Sequence, residues 1–305
     1  MKYVVTGGAG FIGSHIAETL ADDHDIVVFD DFSSGKTENL RGFHDKVRVI
    51  RGSIADLSLL KSAFENADGI FHEAAIASVA KSVDDPLSTN QINITGTLNV
   101  LLAARDCRVK KVVFASSSAV YGDDPTLPKR ENMQPSPLSP YAISKLTGEY
   151  YCRVFSEIFS LKTVSLRYFN VYGPRQDPSS DYAAVIPKFI DRLLRTERPV
   201  IFGDGKQTRD FVYVRDVVRA NILAMESPAT GVFNIGSGSR IDLNFLARTL
   251  SKVTGVDLSP THEKTRSGDI RDSASDITLA RNTLGYESKY SLAEGLAEII
   301  QSIRA

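Results

Sequence analysis

Tyr141 and Lys145 stand four residues apart in the run Tyr141-Ala142-Ile143-Ser144-Lys145. On a helix that spacing puts a phenol and an ammonium on one face. With an ordinary pKa of about 10, a tyrosine is a weak proton acceptor at neutral pH, but a neighbouring cation favours the phenolate. The pair can therefore serve as a general base, and a positive ring held beside it would strengthen the effect. Ser116-Ser117-Ser118 follows the apolar run Lys111–Ala115, and a hydroxyl at the carboxyl edge of a strand could share the proton path. Taken singly, neither signal is specific. A Tyr-x-x-x-Lys pair is common on surface helices, and a serine run after a strand is more often a turn than a catalytic element.

What raises both is a third motif ahead of them, Thr6-Gly7-Gly8-Ala9-Gly10-Phe11-Ile12-Gly13-Ser14, which follows a strand pattern and opens a helical one at Ser14–Leu20. Glycines let a backbone turn tightly and approach a pyrophosphate, while the first amides of a helix and its positive dipole end stabilise the phosphate charge. Asp30 comes about twenty residues later, at the end of the next strand pattern, where a carboxylate accepts hydrogen bonds from ribose hydroxyls. Its charge repels a 2′-phosphate, so NAD is expected rather than NADP. Asp31, Ser34 and Gly35 form a loop suited to the same ribose. Gly7, Gly10 and Gly13 could by themselves be only a tight strand-to-helix turn, and Asp30 a solvated acid. Glycines, flanking elements and acid in register favour the dinucleotide site.

The elements that must position these groups alternate. Tyr3–Thr6, Asp25–Phe29, Val47–Ile50, Gly69–His72, Lys111–Ala115 and Thr163–Arg167 read as short strands without a polar face, with helical patterns between them. That predicts an α/β fold, a Rossmann-type doubly wound parallel sheet covered on both sides. Near Tyr168 the rhythm changes. Pro174, Pro178, Pro187 and Pro199 with Gly203 and Gly205 break the chain into short elements, and a second, smaller α/β lobe is expected there. Phe211–Val214 and Val232–Ile235 look strand-like again, which suggests a return to the first sheet. The expected division is 1–168 plus about 211–236 for the dinucleotide domain, and about 169–210 with 237–305 for the second lobe.

At 305 residues and 42% hydrophobic the chain can bury full cores. Its two cysteines, Cys107 and Cys152, have neither the number nor the spacing of a disulfide framework or zinc site. A formal net charge of -1 provides no field for nucleic acid or an anionic membrane. The N-terminus reaches glycines too soon for a signal peptide, and no later run approaches the length of a membrane span. A cytoplasmic protein is expected.

Over nearly its whole length the sequence resembles the extended short-chain dehydrogenase/reductase family, and within it the UDP-glucose/UDP-N-acetylglucosamine 4-epimerases. The resemblance is carried by Thr6–Gly13, Phe71-His72-Glu73-Ala74-Ala75, Asn93-Ile94-Thr95-Gly96-Thr97, Ser116–Gly122 and Tyr141–Lys145. Beyond these it continues through Arg167–Pro174, Phe202-Gly203-Asp204-Gly205, Arg209-Asp210-Phe211 and Arg266-Ser267-Gly268-Asp269. It implies Ser117, Tyr141 and Lys145 as the catalytic set. For NAD it implies Gly7, Gly10, Phe11, Ile12, Gly13, Asp30, Asp31, Ser34, Gly35, Ser53, Ile54, Ala74, Ala75, Ala77, Asn93, Ala115 and Tyr168 alongside Tyr141 and Lys145. For a nucleotide sugar it implies Ser117, Ser118, Tyr141, Asn170, Val185, Val200, Phe202, Arg209, Arg266, Asp269 and Ser273. Two arginines suit a diphosphate that the overall charge does not attract. Family members pair as homodimers through two helices, which map near Ile92–Arg105 and Tyr141–Phe159. Apolar stripes there are equally expected of helices that pack only on their own sheet.

Two departures matter. Ser53 replaces an aspartate that many relatives place near the adenine. At the position four after Asp269, where some glucose-restricted epimerases carry tyrosine, this chain has Ser273, which leaves room for an N-acetyl group. In the related dehydratases an Asp-Glu pair follows the active-site hydroxyl, and decarboxylases need glutamate at the second of these positions. Here they are Ser118 and Ala119, so a ketone made by oxidation has reduction as its easy fate. Epimerisation through a transient 4-keto sugar is expected. A one-way nucleotide-sugar ketoreductase that releases its cofactor, and from another class a non-catalytic NAD-sensing protein, are the alternatives. Cofactor retained on purification, and a proton acceptor that a sensor has no use for, discriminate against them.

Overall fold

The computed structural model describes residues 1–177, 185–265 and 271–304. Its strands are β1 (Lys2–Thr6), β2 (Asp25–Asp30), β3 (Val47–Arg51), β4 (Gly69–His72), β5 (Lys111–Ser117), β6 (Lys162–Tyr168), β7 (Asn170–Tyr172), β8 (Val200–Phe202), β9 (Thr208–Arg209), β10 (Phe211–Tyr213), β11 (Gly231–Ile235), β12 (Ile241–Asp242) and β13 (Thr261–Glu263). The helices are α1 (Phe11–Leu20), α2 (Leu57–Phe64), α3 (Val79–Asp84), α4 (Pro86–Thr89), α5 (Gly96–Asp106), α6 (Pro140–Phe159), α7 (Val185–Leu194), α8 (Val214–Glu226), α9 (Leu243–Thr254), α10 (Thr278–Leu284) and α11 (Leu292–Arg304).

Seven strands form one sheet in the order β11-β6-β5-β4-β1-β2-β3, and every pairing in it is parallel. The alternation of side chains explains why each strand reads as apolar throughout. Tyr3, Val5, Ile26, Val28, Phe71, Val113 and Ala115 enter one core with residues of α1, α8 and α10. Val4, Val27, Phe29, Ile70, Val112 and Phe114 enter another with residues of α2, α5 and α6. Each fully buried side chain of this size contributes about 2 kcal/mol of transfer free energy, so both layers are fastened to the sheet. Among the described residues no helix is long and apolar enough to cross a membrane.

The chain runs outward from β1 to β2 and β3, then crosses to β4 and continues the other way. The order reverses between β1 and β4, and a crevice opens beyond the carboxyl ends of strands at such a switch point.

Two expectations on strands change. The strand read at Lys111–Ala115 is longer, because β5 continues through Ser116 and Ser117, which pair with Arg167 and Tyr168. Phe211–Val214 does not return to the first sheet. β10 pairs instead with β7, and Val214 begins α8. The physical reason is that β11 already occupies the sheet edge beside β6, with Gly231–Ile235 against Val164–Tyr168. A further core, centred on Tyr172, Phe189, Leu193, Ile201, Tyr213, Leu246 and Ile299, joins α7, α9 and α11.

Candidate active site

Thr6 ends β1, and the chain turns at Gly7 with a φ of 69°. The Gly7 amide donates to the Phe29 carbonyl at 2.8 Å, and the Gly10 amide to the Gly7 carbonyl at 3.0 Å. A Cβ on Gly7 would lie 2.7 Å from the Ala74 nitrogen, and one on Gly13 would lie 2.2 Å from the Gly7 oxygen. Backbone thus passes backbone where no side chain fits. Gly10 precedes α1 without a side-chain cap, which leaves the leading amides of Phe11, Ile12 and Gly13 turned toward the loop.

Asp30, at the end of β2, is 6% exposed. Its carboxylate accepts from the Ala9 amide at 2.9 Å and the Phe32 amide at 2.8 Å. Desolvation raises its pKa above the ordinary value, with those two bonds opposing. Each oxygen keeps lone pairs for a further donor. A Cβ on Gly35 would sit 2.8 Å from one of these oxygens, so glycine there leaves the carboxylate uncovered. Asp31 and Ser34 are exposed beside it, and the Asp31 carboxylate receives the Ser33 amide. These residues fit a dinucleotide: a narrow amide-lined turn for the pyrophosphate and a carboxylate for the ribose.

The other expected cofactor residues follow strand ends in turn. Ser53 and Ile54 come after β3, with Ser53 Oγ accepting from the Ala55 amide at 3.2 Å and Ile54 buried. Ala74 and Ala75 are half-buried after β4, and Ala77 is exposed. Asn93 lies in a π-helical turn, Asn90–Thr95, that leads into α5. It is 2% exposed, accepts from the Ile76 amide at 2.8 Å, and donates to the Ile76 carbonyl and to Ser144 Oγ, each at 3.0 Å. That amide binds the loop after β4 to α6.

Ser139 starts α6 as its N-cap, accepting from the Ala142 amide at 3.1 Å, and Pro140 occupies the first turn. From that start the helix presents Tyr141 and, one turn on, Lys145 to the end of β5. Lys145 is 4% exposed. Its Nζ donates to the Ala115 carbonyl at 2.8 Å and lies 5.8 Å from the Tyr141 ring centre and 5.2 Å from that of Phe114. Ser117 accepts from the Ala119 amide at 3.2 Å, capping the turn that holds Ser118. Beneath them, Arg167 grips Glu149 in a buried two-pronged ion pair at 2.8 and 2.7 Å, and Ser116 bonds the same carboxylate. This fastens α6 to β5 and β6.

Tyr141 corrects one expectation. Its phenol is raised above the ordinary value, first by desolvation and then by the charge of Glu73, while a hydrogen bond with Ser117 lowers it. Lys145 does not supply the expected lowering. Its ammonium meets the faces of two rings rather than the phenol oxygen, and desolvation brings its own pKa down to about 8.

Glu73 is a group the sequence motifs include without indicating a task for it. It follows β4 directly, its amide donates to the Thr6 carbonyl at 3.1 Å, and its carboxylate accepts from Tyr168 Oη at 2.9 Å. Tyr168 is 7% exposed and accepts from Asn221 Nδ2 at 2.8 Å. The only advance signal was position, a carboxylate at the carboxyl end of a parallel strand.

The expected sugar-nucleotide residues lie on the short elements. Asn170 opens β7, two residues after Tyr168, and its side chain donates to the Asp210 carbonyl at 3.0 Å. Val185 begins α7, and Val200 and Phe202 bound β8. Arg209 ends β9, its guanidinium donating to the Thr208 and Arg271 carbonyls at 2.9 and 3.2 Å. The Ser273 amide donates to the Thr208 carbonyl at 3.0 Å. Arg266 and Asp269 lie outside the described residues. Asp210 was also missed as an organiser. Fully buried, it receives the amides of Ser237, Gly238 and Ser275 and the hydroxyls of both serines, so it ties together the loops on either side of Arg209.

A doubly wound sheet whose switch point carries such a cradle defines the class, a Rossmann-type dinucleotide-binding protein. Residues 3–236 match the NAD dependent epimerase/dehydratase family, and the chain belongs to that family. The UDP-glucose 4-epimerase of Mycolicibacterium smegmatis is 41% identical over 312 residues, covering 100% of this chain and 99% of that protein. The UDP-N-acetylglucosamine 4-epimerase from Methanobrevibacter ruminantium M1, solved in complex with UDP-N-acetylmuramic acid, superposes with a TM-score of 0.96. It has 43% identity, over 99% of this chain and 98% of that one. The Thermus thermophilus UDP-glucose 4-epimerase, solved with NAD, gives a TM-score of 0.91 and 36% identity over 100% and 99% of the two chains.

Proposed function

We propose that this chain is an NAD-dependent UDP-hexose 4-epimerase that interconverts UDP-glucose and UDP-galactose, and UDP-N-acetylglucosamine and UDP-N-acetylgalactosamine. The observation that carries this reading is the meeting of Tyr141, Ser117 and Lys145 at the strand ends beside the glycine cradle, in a chain with Ser118 and Ala119 where elimination or decarboxylation would need acids.

Gly7, Gly10, Gly13 and the first turn of α1 would hold the pyrophosphate, Asp30 the adenosine ribose, and Lys145 the nicotinamide ribose. Bound there, NAD would supply the acceptor and donor of hydride at carbon 4, and its positive ring is the cation that the Tyr141 phenol lacks. Tyr141 Oη takes the proton of the sugar's 4-hydroxyl and later returns it. Ser117 Oγ donates a hydrogen bond to the oxygen as it gains charge. Lys145 Nζ, fixed by the Ala115 carbonyl, keeps further donors for the nicotinamide ribose. Arg209 and Arg266 hold the diphosphate, about which the 4-keto sugar turns its other face. On this reading residues 1–168 with about 211–236 serve the dinucleotide, and about 169–210 with 237–305 serve the nucleotide sugar.

Supporting a homodimer through α5 and α6, the outer side of α6 leaves Ile143 and Tyr150 exposed, and neighbouring α3 and α4 leave Val83 and Leu87 exposed. Exposed apolar side chains on neighbouring helices suit an interface. Free Cys107 and Cys152 suit a reducing, cytoplasmic setting.

The reading is tested by incubating the purified protein with UDP-glucose and with UDP-N-acetylglucosamine, with no cofactor added. Inversion at the fourth carbon of both sugars is expected, and turnover that needs added dinucleotide would instead favour a one-way reductase. Ser273 carries the acceptance of the N-acetyl group. Replacing Ser273 by Tyr is expected to cut kcat/KM for the N-acetylated sugar by at least about tenfold, on the order a hydrophobic pocket discriminates, while sparing UDP-glucose. Equal losses on both sugars would remove Ser273 from that role.

A further inference from the structure

The short helix α3 packs on α6 by the opposite side chain from the one its composition suggests. Val79 and Val83 are 47% and 62% exposed, while Ser82, at 0%, is the residue that α3 buries. A buried hydroxyl is costly unless it is bonded, and this one is bonded twice. It donates to the Val79 carbonyl at 2.6 Å within its own helix, and it accepts the backbone amide of Tyr141 at 3.0 Å.

The amides that open a helix have no acceptor on the helix itself, and at the start of α6 each is satisfied in its own way. Pro140 has no N–H to satisfy. Ala142 donates to Ser139 Oγ at 3.1 Å and Ile143 to the Ser139 carbonyl at 2.9 Å, so the cap residue serves both. The Tyr141 amide goes to a different element, through Ser82. On its other side the Tyr141 carbonyl accepts from Ser144 Oγ at 2.7 Å, and Ser144 Oγ accepts from Asn93 Nδ2 at 3.0 Å. Asn93 in turn holds the amide and the carbonyl of Ile76. Both links therefore run to the connection that follows β4, which carries Ala74, Ala75 and Ala77 before it forms α3.

We infer that Ser82 is a positioning residue for the proton acceptor: its hydroxyl, reaching across from α3, fixes the first turn of α6 and with it the place of the Tyr141 phenol. The inference rests on Tyr141 being the base. Tyr141 stands ahead of the point where the helical ladder closes, so bonds within α6 do not hold its amide, and an outside acceptor must. Lys145, one turn on, is held separately by the Ala115 carbonyl. Losing the Ser82 hydroxyl thus frees the phenol while leaving Lys145 and the glycine cradle as they are.

The test is Ser82→Ala in the holoenzyme. It should lower kcat by roughly tenfold to a hundredfold, since a displacement of about 1 Å at reacting atoms costs up to about a hundredfold, with KM and bound dinucleotide near their wild-type values. A residue that only supports the fold would lower kcat, substrate affinity and cofactor content together, and that result would overturn the role. A second readout avoids turnover: hydrogen exchange resolved to single amides should show the Tyr141 amide losing its protection in Ser82→Ala while later amides of α6 keep theirs. Unchanged protection would overturn the bond, and lost protection with wild-type kcat would overturn the positioning. Ser82→Cys, close to serine in size but a weak acceptor, decides by the same two readouts if Ser82→Ala does not fold: lost protection with lowered kcat supports the inference, and any other combination contradicts it. Wild-type kcat in the Ser82 variant with Tyr141→Phe inactive removes Ser82 and leaves the base standing. An active Tyr141→Phe enzyme would bring down both.

Discussion

Tyr141→Phe should lose turnover by about a thousandfold, within the range a positioned general base contributes, with KM little changed and the bound dinucleotide kept. The substitution removes one oxygen from a ring whose surroundings are otherwise untouched. Tyr141 is held through its backbone, whose amide donates to Ser82 Oγ at 3.0 Å, and α6 keeps its Ser139 cap. Lys145 stays bonded to the Ala115 carbonyl. What disappears is the atom proposed to receive the sugar's proton, which hydrogen-bonds with Ser117. A Phe variant that still inverts the sugar at near wild-type rate would refute the assignment. Single-turnover kinetics on the loaded protein, with cofactor content measured alongside, separates a lost proton acceptor from lost binding.

Gly13→Val is expected to give protein that emerges from purification with little or no dinucleotide. An added Cβ would meet the Gly7 carbonyl oxygen at 2.2 Å, and the Gly7 carbonyl carbon and Gly8 Cα at 2.9 Å each. All three are backbone atoms and cannot swing aside as the end of a side chain can. Relief requires α1 to move off β1, which opens the turn whose amides are proposed to hold the phosphates. Overpacking of this kind costs about 1–3 kcal/mol, and the lost ligand takes with it the stability that binding confers on the folded state. Thermal unfolding should therefore fall for the purified protein and recover poorly on adding NAD. A Gly13→Val protein carrying a full complement of dinucleotide would contradict the cradle.

How much of this was legible beforehand depended on range. The glycine turn, Asp30 and the Tyr141–Lys145 pair are local patterns, each complete within a few residues of its neighbouring element, and the structure places them at one set of strand ends. The parallel sheet was legible because strands such as β1 and β4 are apolar on both faces, and each face has its own core. Phe211–Tyr213 misled for the opposite reason. Three apolar residues satisfy either sheet, and the choice was made further down the chain, where β11 takes the available edge. Glu73 and Asp210 sit inside recognisable motifs that do not state their tasks. The partner of Glu73 is 95 residues away, and the donors to Asp210 come from 27 and 65 residues away. No local pattern states whether a carboxylate after a strand is solvated or clamped. The phenol of Tyr141 shows the same difference: spacing set Lys145 on its face of the helix, but only the fold shows that the ammonium donates to the Ala115 carbonyl and meets the Tyr141 ring by its face.

The central claim is that hydrogen leaves and returns at carbon 4 itself, while Tyr141 handles only the hydroxyl proton. UDP-glucose carrying deuterium at carbon 4, incubated with the protein in ordinary water, tests it most directly. The expected product is UDP-galactose with the deuterium still on carbon 4. Product that has exchanged this position with solvent would show that a carbon-bound proton had been removed by a base, and the account would fail.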